Sequence, residues 1–320
     1  METLYLIGNG FDLHHKIPSS YRDYHKWLSL HKPDVANRLD EIYGTDNNWW
    51  SDFENSLGLL DINGYVNTMK YDAYPDISSD EYRDRDRFVM PDTAMNELST
   101  LYQEVRNSFY EWVISLPSGI SDLKIKIERK NSFFITFNYT ETLQNLYNIP
   151  EKSVLHIHGK SNKNNELILG HGLNYDKIKN TTDIEAPTEL KDPADIEQWY
   201  NENYDPIIEE TTNNVINQVA EQRKNVTEII AHNRKTFSKM TDISKIYAYG
   251  LSFSSVDLPY LDEIISIIDT AKTEWEINYF SDKDKQKIEQ YMQSKGIMNK
   301  MYSLVKLEDL CLLKQIDLFD

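Results

Sequence analysis

The sequence predicts an α/β protein with a doubly wound, mostly parallel sheet, and two observations indicate this class. First, the apolar run Thr3–Ile7 stops at Gly8-Asn9-Gly10, as a buried parallel strand does where it enters a tight turn. Glycine accepts positive φ and lets a ligand approach closely there. Second, short apolar runs alternate with longer amphipathic segments after residue 244. This alternation predicts strand–helix–strand units, whose parallel strands are covered by helices on both faces.

The chain between residues 18 and 119 is predicted to form a helical insertion. Pro18-Ser19-Ser20 ends the first unit and supplies a helix cap. Apolar residues then recur at spacings of three and four, which is the period of one helix face. The predicted helices are Tyr21–Leu30, Asn48–Leu60 and a long helix that begins at Pro91 and ends before Pro117-Ser118-Gly119.

Three apolar runs in the next part of the chain each end at an asparagine or a glycine. The runs are Ser132–Phe137 before Asn138, Ser153–His158 before Gly159, and Glu166–Leu169 before Gly170. A short helix is predicted over Glu141–Tyr147. The lengths of the runs predict strands, and the carboxyl ends of parallel strands meet at one edge of a sheet. We therefore expect these turns to share an edge with the first glycine turn.

The segment from Asn174 to Met240 is predicted to form a second insertion. Asn174–Tyr200 is polar and contains two prolines, so we expect loops with one helical turn. Asp205–Met240 has apolar residues at spacings of four and seven, which predicts a single helix about 50 Å long. This helix could pack against a second copy of the chain, against a partner protein or within the chain.

The last part of the chain completes the predicted core. Its elements are the strands Lys245–Gly250, Trp275–Phe280 and Met301–Leu307 and the helices Asp257–Asp269 and Asp282–Ser294. The core thus consists of residues 1–17, 120–173 and 241–320. Residues 18–119 and 174–240 are the insertions, and we expect them to form a cap or an oligomerisation region.

Composition excludes several classes of function. The chain has 320 residues and a formal net charge of −18, so no general binding to nucleic acid is expected outside a local basic patch. Cys311 is the only cysteine, which excludes an intramolecular disulfide and a cysteine zinc cluster. No apolar run approaches the roughly 18 residues of a membrane span, and no secretion signal is recognisable. We expect a cytoplasmic protein that does not bind membranes.

Short motifs follow the predicted strands in a fixed order: Gly8–Asp12, Phe137–Thr140, His156–Gly159, and Tyr249–Phe253 with Asp257 behind it. In this order they resemble the AbiH family of bacteriophage abortive-infection proteins. Leu13, His15, Pro18 and Tyr21, behind the first motif, contribute to the resemblance. The order is also similar to that of sirtuin-type NAD-binding domains, which implies a Rossmann-like core.

The resemblance implies that NAD is a substrate. Asn138 would help to hold water and the nicotinamide ribose, and His158 would act as a base on a ribose hydroxyl. A neutral histidine suits this task near pH 7. The resemblance further implies cofactor contacts at Gly8, Asn9, Gly10, Phe11, Asp12, His15, Thr136, Tyr139, Gly159, Gly250, Ser252 and Asp257. Asp12 or Glu54 could stabilise the cationic sugar of the transition state.

Two departures from the sirtuin pattern limit these implications. One cysteine cannot supply the four thiolates of the sirtuin structural zinc, so we expect no such zinc and no protein deacetylation. Asn9 and Asp12 also differ from the sirtuin turn, and a carboxylate near phosphates is unfavourable unless it faces the ribose or the nicotinamide.

Other interpretations stay open at this point. His158 could be a core histidine, His156 could be the functional one, and Asn138 could cap the following helix. A second hypothesis is a metal-dependent nuclease or nucleotide phosphodiesterase, although the spacing of the candidate ligands matches no standard metal motif. Its candidate ligands are Asp12, His14, His15, His158 and His171. A third is a non-catalytic nucleotide sensor or scaffold that signals through the predicted Asp205–Met240 helix.

Overall fold

The computed structural model describes residues 2–44, 47–160, 167–179 and 186–312. It contains one sheet of six parallel strands in the order β3-β2-β1-β4-β5-β6. The strands are β1 Thr3–Ile7, β2 Ser132–Thr136, β3 Val154–His156, β4 Lys245–Tyr249, β5 Glu274–Asn278 and β6 Tyr302–Val305. The predicted α/β class with a doubly wound parallel sheet is confirmed, and this strand order is that of a Rossmann-like fold.

Helices make up most of the remaining structure. They are α1 Asn9–His14, α2 Tyr21–His31, α3 Pro33–Tyr43, α4 Asn47–Ser51, α5 Phe53–Ser56, α6 Ile62–Ala73, α7 Val89–Ser115, α8 Thr142–Tyr147, α9 Tyr175–Lys179, α10 Pro193–Asn203, α11 Pro206–Glu221, α12 Val226–His232, α13 Arg234–Phe237, α14 Leu258–Ile267 and α15 Asp282–Ser294. No helix in the described ranges is long and apolar enough to cross a membrane.

The first strand is apolar throughout because both of its faces are buried. Leu4 and Leu6 pack into one core cluster, whereas Tyr5 and Ile7 pack into another. Side chains two positions apart on a strand share a face, so the two clusters lie on opposite sides of the sheet. The ring of Tyr5 stacks on Phe134 of β2 at a centroid distance of 4.7 Å.

β1 is the topological switch point of the sheet. β2 and β3 lie on one side of it, and β4, β5 and β6 lie on the other. β1 lies between β2 and β4, and Ile7 is opposite both Thr136 and Tyr249. The three carboxyl ends are therefore level. In open parallel sheets ligands bind outside the carboxyl ends at such a point. The turns that follow these three strands are consequently the place to look for a site.

The chain divides into two compact units. The first consists of residues 1–27, 108–169 and 225–320 and contains all the strands named above, and the second consists of residues 28–107 and 170–224. In the second unit α11 packs against α6 and α9. The Asp205 side chain caps α11 by accepting from the backbone N–H groups of Ile207 and Ile208. The predicted cap or oligomerisation role of the insertions stays a prediction.

The prediction of one helix over Asp205–Met240 is wrong. α11 ends at Glu221 because the next residues use their backbone groups elsewhere. The N–H of His171 donates to the carbonyl of Gln222, and the N–H of Lys224 donates to the carbonyl of His171. These bonds replace the bonds that a continuous helix needs. Asn225 then starts α12, since its side chain accepts from the N–H of Glu228.

Other predicted elements also need correction. Leu167–Leu169 forms no strand, and Glu166 lies outside the described residues. The Asn174–Tyr200 segment, of which residues 180–185 are not described, contains α9 and the start of α10. The Asp192-Pro193 pair is a helix start signal that the loop prediction overlooked. The predicted helix Asn48–Leu60 is interrupted, and α3 and α6 were not predicted.

Candidate functional site at the carboxyl edge

The glycine motif after β1 is a strand-to-helix junction rather than a free turn, because α1 begins at Asn9. It packs backbone to backbone against the turn after β4. The N–H of Gly8 donates to the Tyr249 carbonyl, and that of Gly10 to the Gly250 carbonyl, both at 2.9 Å. A methyl group on Gly8 would lie 2.5 Å from the Gly250 oxygen. Close packing at the switch point therefore requires glycine here.

Asn138 reaches this junction from the end of β2. Its Nδ2 donates to the carbonyl oxygen of Gly8 at 3.1 Å, and its backbone N–H donates to Thr136 Oγ1 at 3.1 Å. The side chain is 6 % exposed, and its Oδ1 is buried with no hydrogen-bond partner in the described part of the chain. Asn138 does not cap α8, whose N-cap residue is Glu141. A buried acceptor whose hydrogen bond is not made within the protein is suited to a hydrogen-bond donor on a bound ligand.

Asp12 on α1 is a fully buried carboxylate. It accepts from Thr140 Oγ1 at 2.5 Å and from Thr142 Oγ1 at 2.7 Å. Burial raises the pKa of Asp12 from its ordinary 3.8 to about 6, although hydrogen bonds from Thr140, Thr142 and Asn138 favour the ionised form. The two threonines were not assigned from sequence. The signal that could have identified them is a pair of hydroxyl residues, two positions apart, that follows Asn138 in the sequence.

The raised pKa of Asp12 predicts a pH-dependent stability. Between pH 3.8 and about 6 the unfolded chain has lost this proton while the folded chain keeps it, so the free energy of unfolding falls as pH rises. The full effect is about 3 kcal/mol, at about 1.4 kcal/mol per pKa unit. Asp12→Asn should lack this dependence. Urea unfolding of both proteins from about pH 3.5 to 6.5 should show the variant gaining stability relative to wild type. A constant difference would contradict the assignment.

His158 lies just beyond β3 in an aromatic environment. It is 3 % exposed, and its Nε2 is 3.2 Å from the Tyr260 hydroxyl. Its ring centroid lies 5.6 Å from that of Phe137 and 6.4 Å from that of Tyr139, the two neighbours of Asn138 in sequence. The first unit thus brings His158 to the residues that flank Asn138. No sequence signal links Tyr260, on α14, to this histidine.

His156 is held differently. Its Nδ1 donates to the Asn138 carbonyl at 3.2 Å, so its Nε2 accepts from Gln144 Nε2 at 2.9 Å. Burial lowers the pKa of His156, which favours the neutral ring. Both ring nitrogens are occupied by protein groups. His156 therefore holds the backbone of Asn138, and the catalytic role of His158 stays a prediction.

Several predicted cofactor contacts serve the interior of the first unit. Phe11 is fully buried in a core cluster, and the Thr136 hydroxyl accepts from the N–H of Asn138. His15 bonds through Nδ1 to the Phe11 carbonyl and through Nε2 to the Tyr147 hydroxyl, both at 2.7 Å. Burial lowers the pKa of His15 to about 4, so the ring is neutral near pH 7. His15 and Phe11 are structural residues in this arrangement.

The remaining predicted contacts lie at or near the surface. Asn9 is exposed, and its amide bonds to the hydroxyl and the carbonyl of Ser19. Ser252 is exposed, and Asp257 accepts from Ser254 Oγ at 3.0 Å beside the start of α14. Gly159 and Gly250 have φ values of 82° and 69°, which favour glycine. Tyr139 donates to the Ile168 carbonyl at 2.9 Å.

The structure does not favour the metal-site hypothesis. Across residues 2–44, 47–160, 167–179 and 186–312, no group of three or more His, Cys, Asp or Glu side chains is arranged to hold a metal ion. In the second unit, His171 Nδ1 accepts from the N–H of Leu173 and its Nε2 donates to the Val219 carbonyl. His15 likewise has both ring nitrogens engaged.

Glu54 belongs to the second unit, where it pairs with Lys224. The Nζ of Lys224 lies 2.9 Å and 3.0 Å from the two carboxylate oxygens. The Lys224 side chain is fully buried and that of Glu54 is 14 % exposed. The ammonium group of Lys224 therefore neutralises the Glu54 carboxylate. From the sequence alone, Glu54 had been a candidate for stabilising the cationic sugar.

Lys224→Met is expected to lower the free energy of unfolding by about 3 kcal/mol, because it leaves the Glu54 carboxylate without its cation. Chemical denaturation followed by circular dichroism measures the change. The double variant Lys224→Met/Glu54→Gln should recover part of the loss, since it removes the unpaired charge as well. Equal losses in the single and double variants would indicate that packing, not charge, dominates at this position.

The strand order, the switch point and the side chains that meet there define a Rossmann-like α/β protein with a candidate site at its carboxyl edge. The chain belongs to the AbiH family: the family model for bacteriophage abortive infection AbiH matches residues 4–279. The match confirms the resemblance to the AbiH family and indicates a role in abortive infection, whereas the similarity to sirtuin-type domains stays an expectation. A comparison with curated proteins found no match.

Proposed function

We propose that this abortive-infection protein binds NAD at the carboxyl edge of its sheet and hydrolyses the bond between nicotinamide and ribose. The observation that carries the proposal is the position of Asn138. Asn138 is 130 positions from Gly8 in the chain, yet its amide nitrogen donates to the Gly8 carbonyl. Its amide oxygen is buried and has no hydrogen-bond partner among the described residues. In the proposal this oxygen accepts from a hydroxyl of the nicotinamide ribose or from the attacking water.

The chemistry requires little beyond positioning, proton transfer and stabilisation of positive charge. As the nicotinamide–ribose bond breaks, nicotinamide leaves with the bonding electrons and the sugar becomes oxocarbenium-like. Water adds to the anomeric carbon, and its proton is lost to a base, so that NAD and water give nicotinamide, ADP-ribose and one proton. His158 would be that base directly or through a ribose hydroxyl. The Tyr260 hydroxyl, 3.2 Å from its Nε2, would orient the imidazole.

Asp12 supports the proposal through its charge. Above a pH of about 6 the carboxyl is ionised, and it lies beside Asn138 with no lysine or arginine of the described ranges among its interactions. A buried negative charge near the sugar would stabilise the oxocarbenium-like state, because electrostatic interactions are strong away from water. The NAD phosphates would lie away from Asp12, towards the exposed side of the junction between α1 and the turn after β4.

The proposal is tested by measuring NAD in infected cells, since an abortive-infection protein acts when a phage is present. Cells carrying the wild-type protein should lose NAD after infection and accumulate nicotinamide and ADP-ribose, whereas cells carrying Asn138→Ala should not. Chromatography of cell extracts gives all three quantities. Phage resistance that depends on the protein while NAD stays constant would refute NAD hydrolysis. Depletion that persists in Asn138→Ala would refute the assigned site.

A further inference from the structure

Lysine side chains gather at the carboxyl ends of β5 and β6, outside the site built on Asn138 and Asp12. Lys306 follows β6 directly, and its Nζ donates to the carbonyl oxygen of Phe280, the second residue after β5. The same nitrogen lies 4.2 Å from the ring centroid of Tyr279. Lys306 is therefore held across the ends of two neighbouring strands by a carbonyl and a ring face.

Two more lysines approach from α15. Lys287 Nζ donates to the carbonyl oxygen of Ser252, in the turn after β4, at 3.1 Å. Lys285 Nζ lies 5.9 Å from the centroid of the Tyr279 ring. We call this group the lysine corner; it consists of Tyr279, Phe280, Lys285, Lys287 and Lys306. All of its members belong to the first unit.

The positive charge of the lysine corner is not neutralised by protein carboxylates. Within the described ranges, none of its three lysines forms an ion pair with Asp or Glu. The nearby Asp284 is occupied as a helix cap by Ser281. Carbonyl oxygens and ring faces hold an ammonium group without cancelling its charge. In a chain with 52 acidic and 34 basic residues, the three lysines form a local concentration of positive charge.

Phe280 gives the lysine corner a second property. Its side chain is 81 % exposed and lies where β5 ends, at the edge where parallel sheets bind ligands. An exposed aromatic ring beside unpaired lysines is the combination that binds nucleotides, because bases stack on the ring and phosphates contact the ammonium groups. We propose that the lysine corner binds a nucleotide unit, with the base on Phe280 and phosphate on Lys285, Lys287 and Lys306.

The proposal goes beyond NAD hydrolysis and does not depend on it: neither Asn138 nor His158 belongs to the lysine corner, although Lys287 contacts the turn after β4, beside which the NAD phosphates are proposed to lie. It is tested on the full chain carrying Asn138→Ala, so that no turnover occurs. The probe is a 5′-phosphorylated, 3′-fluorescein oligothymidylate, followed by anisotropy, with ADP as competitor. Competition by ADP would identify a free nucleotide as the natural occupant. Oligothymidylate binding that ADP does not displace would identify the end of a single strand, and either outcome supports the proposal.

Variants of the corner decide where the probe binds. Phe280→Ala should weaken binding about 5- to 150-fold, the range expected for loss of one stacked base. Replacing Lys285, Lys287 and Lys306 together by Gln should weaken binding and lower the slope of log affinity against log salt by about two. Lys283→Gln, an exposed lysine on the same helix, is the matched control and should bind like wild type. Affinities equal to wild type in both corner variants, or no saturable binding by wild type, would overturn the proposal.

Discussion

His158→Ala is expected to lower the rate of NAD hydrolysis about 100- to 10 000-fold, which is the usual contribution of a general base. The reason is that the proposed mechanism gives the proton to the His158 imidazole, which lies beside Phe137 and Tyr139, the two neighbours of Asn138 in sequence. His15 and His156 have low pKa values caused by burial, and both rings are occupied by protein groups. The measurement is the rate of nicotinamide release after infection, at matched protein levels.

A matched substitution separates catalysis from general damage. His232→Ala removes an exposed histidine from α12 and should leave the rate unchanged. Because His158 is buried, His158→Gln serves as a second variant of similar size, and thermal unfolding shows whether each protein is folded. Folded His158 variants with a wild-type rate would remove the histidine from the mechanism. They would leave Asn138 and Asp12 as the groups to examine.

Gly250→Ala is expected to cost more than about 4 kcal/mol of stability, a loss that single substitutions rarely cause. Gly250 has a φ of 69°, and an added methyl group would lie 2.0 Å from the Phe11 nitrogen and 2.6 Å from the Gly10 carbonyl carbon. These are backbone atoms that cannot rotate away. The turn after β4 and the junction after β1 would have to separate, and the candidate site would be disrupted with them.

Gly296→Ala is the control, since Gly296 has the same φ of 69° but no atoms within 4 Å of the added methyl group. It should cost only the strain of the left-handed conformation, about 1–2 kcal/mol. Denaturant unfolding of both variants gives the two losses, and their difference measures the contact between the two turns. Equal losses would mean that these turns do not pack as closely as described.

The positions of the central strands were predictable because their signal is local. β1, β2 and β4 consist mostly of apolar residues, and a glycine or an asparagine follows each of them within two residues. α15 was predicted with the bounds that the structure shows, since Ser281 and the apolar spacing identify it. The motifs at the carboxyl edge could be placed together for the same reason: parallel strands all end on one side.

The failures occurred where distant residues supply the deciding bonds. The predicted helix over Asp205–Met240 contains no glycine or proline between its first turn and its end, and its local break signal, Asn225 three residues before Glu228, was overlooked. The break is caused by backbone bonds to His171, some 50 positions away in the chain. Glu54 could not be distinguished from a free catalytic acid, because its partner Lys224 lies 170 positions away.

The sequence by itself determined the class of the fold, the edge on which the motifs lie and the family, because local apolar patterns and ordered motifs carry that information. Only the tertiary structure decided that the glycines serve backbone packing, that Asp12 bonds to two threonines and that His156 holds Asn138. It also decided that Lys285 and Lys306 lie beside the Tyr279 ring and that Lys287 bonds to the Ser252 carbonyl, with no ion pair to Asp or Glu in the described part of the chain. These properties depend on distances and burial between residues far apart in the chain, which no local pattern specifies.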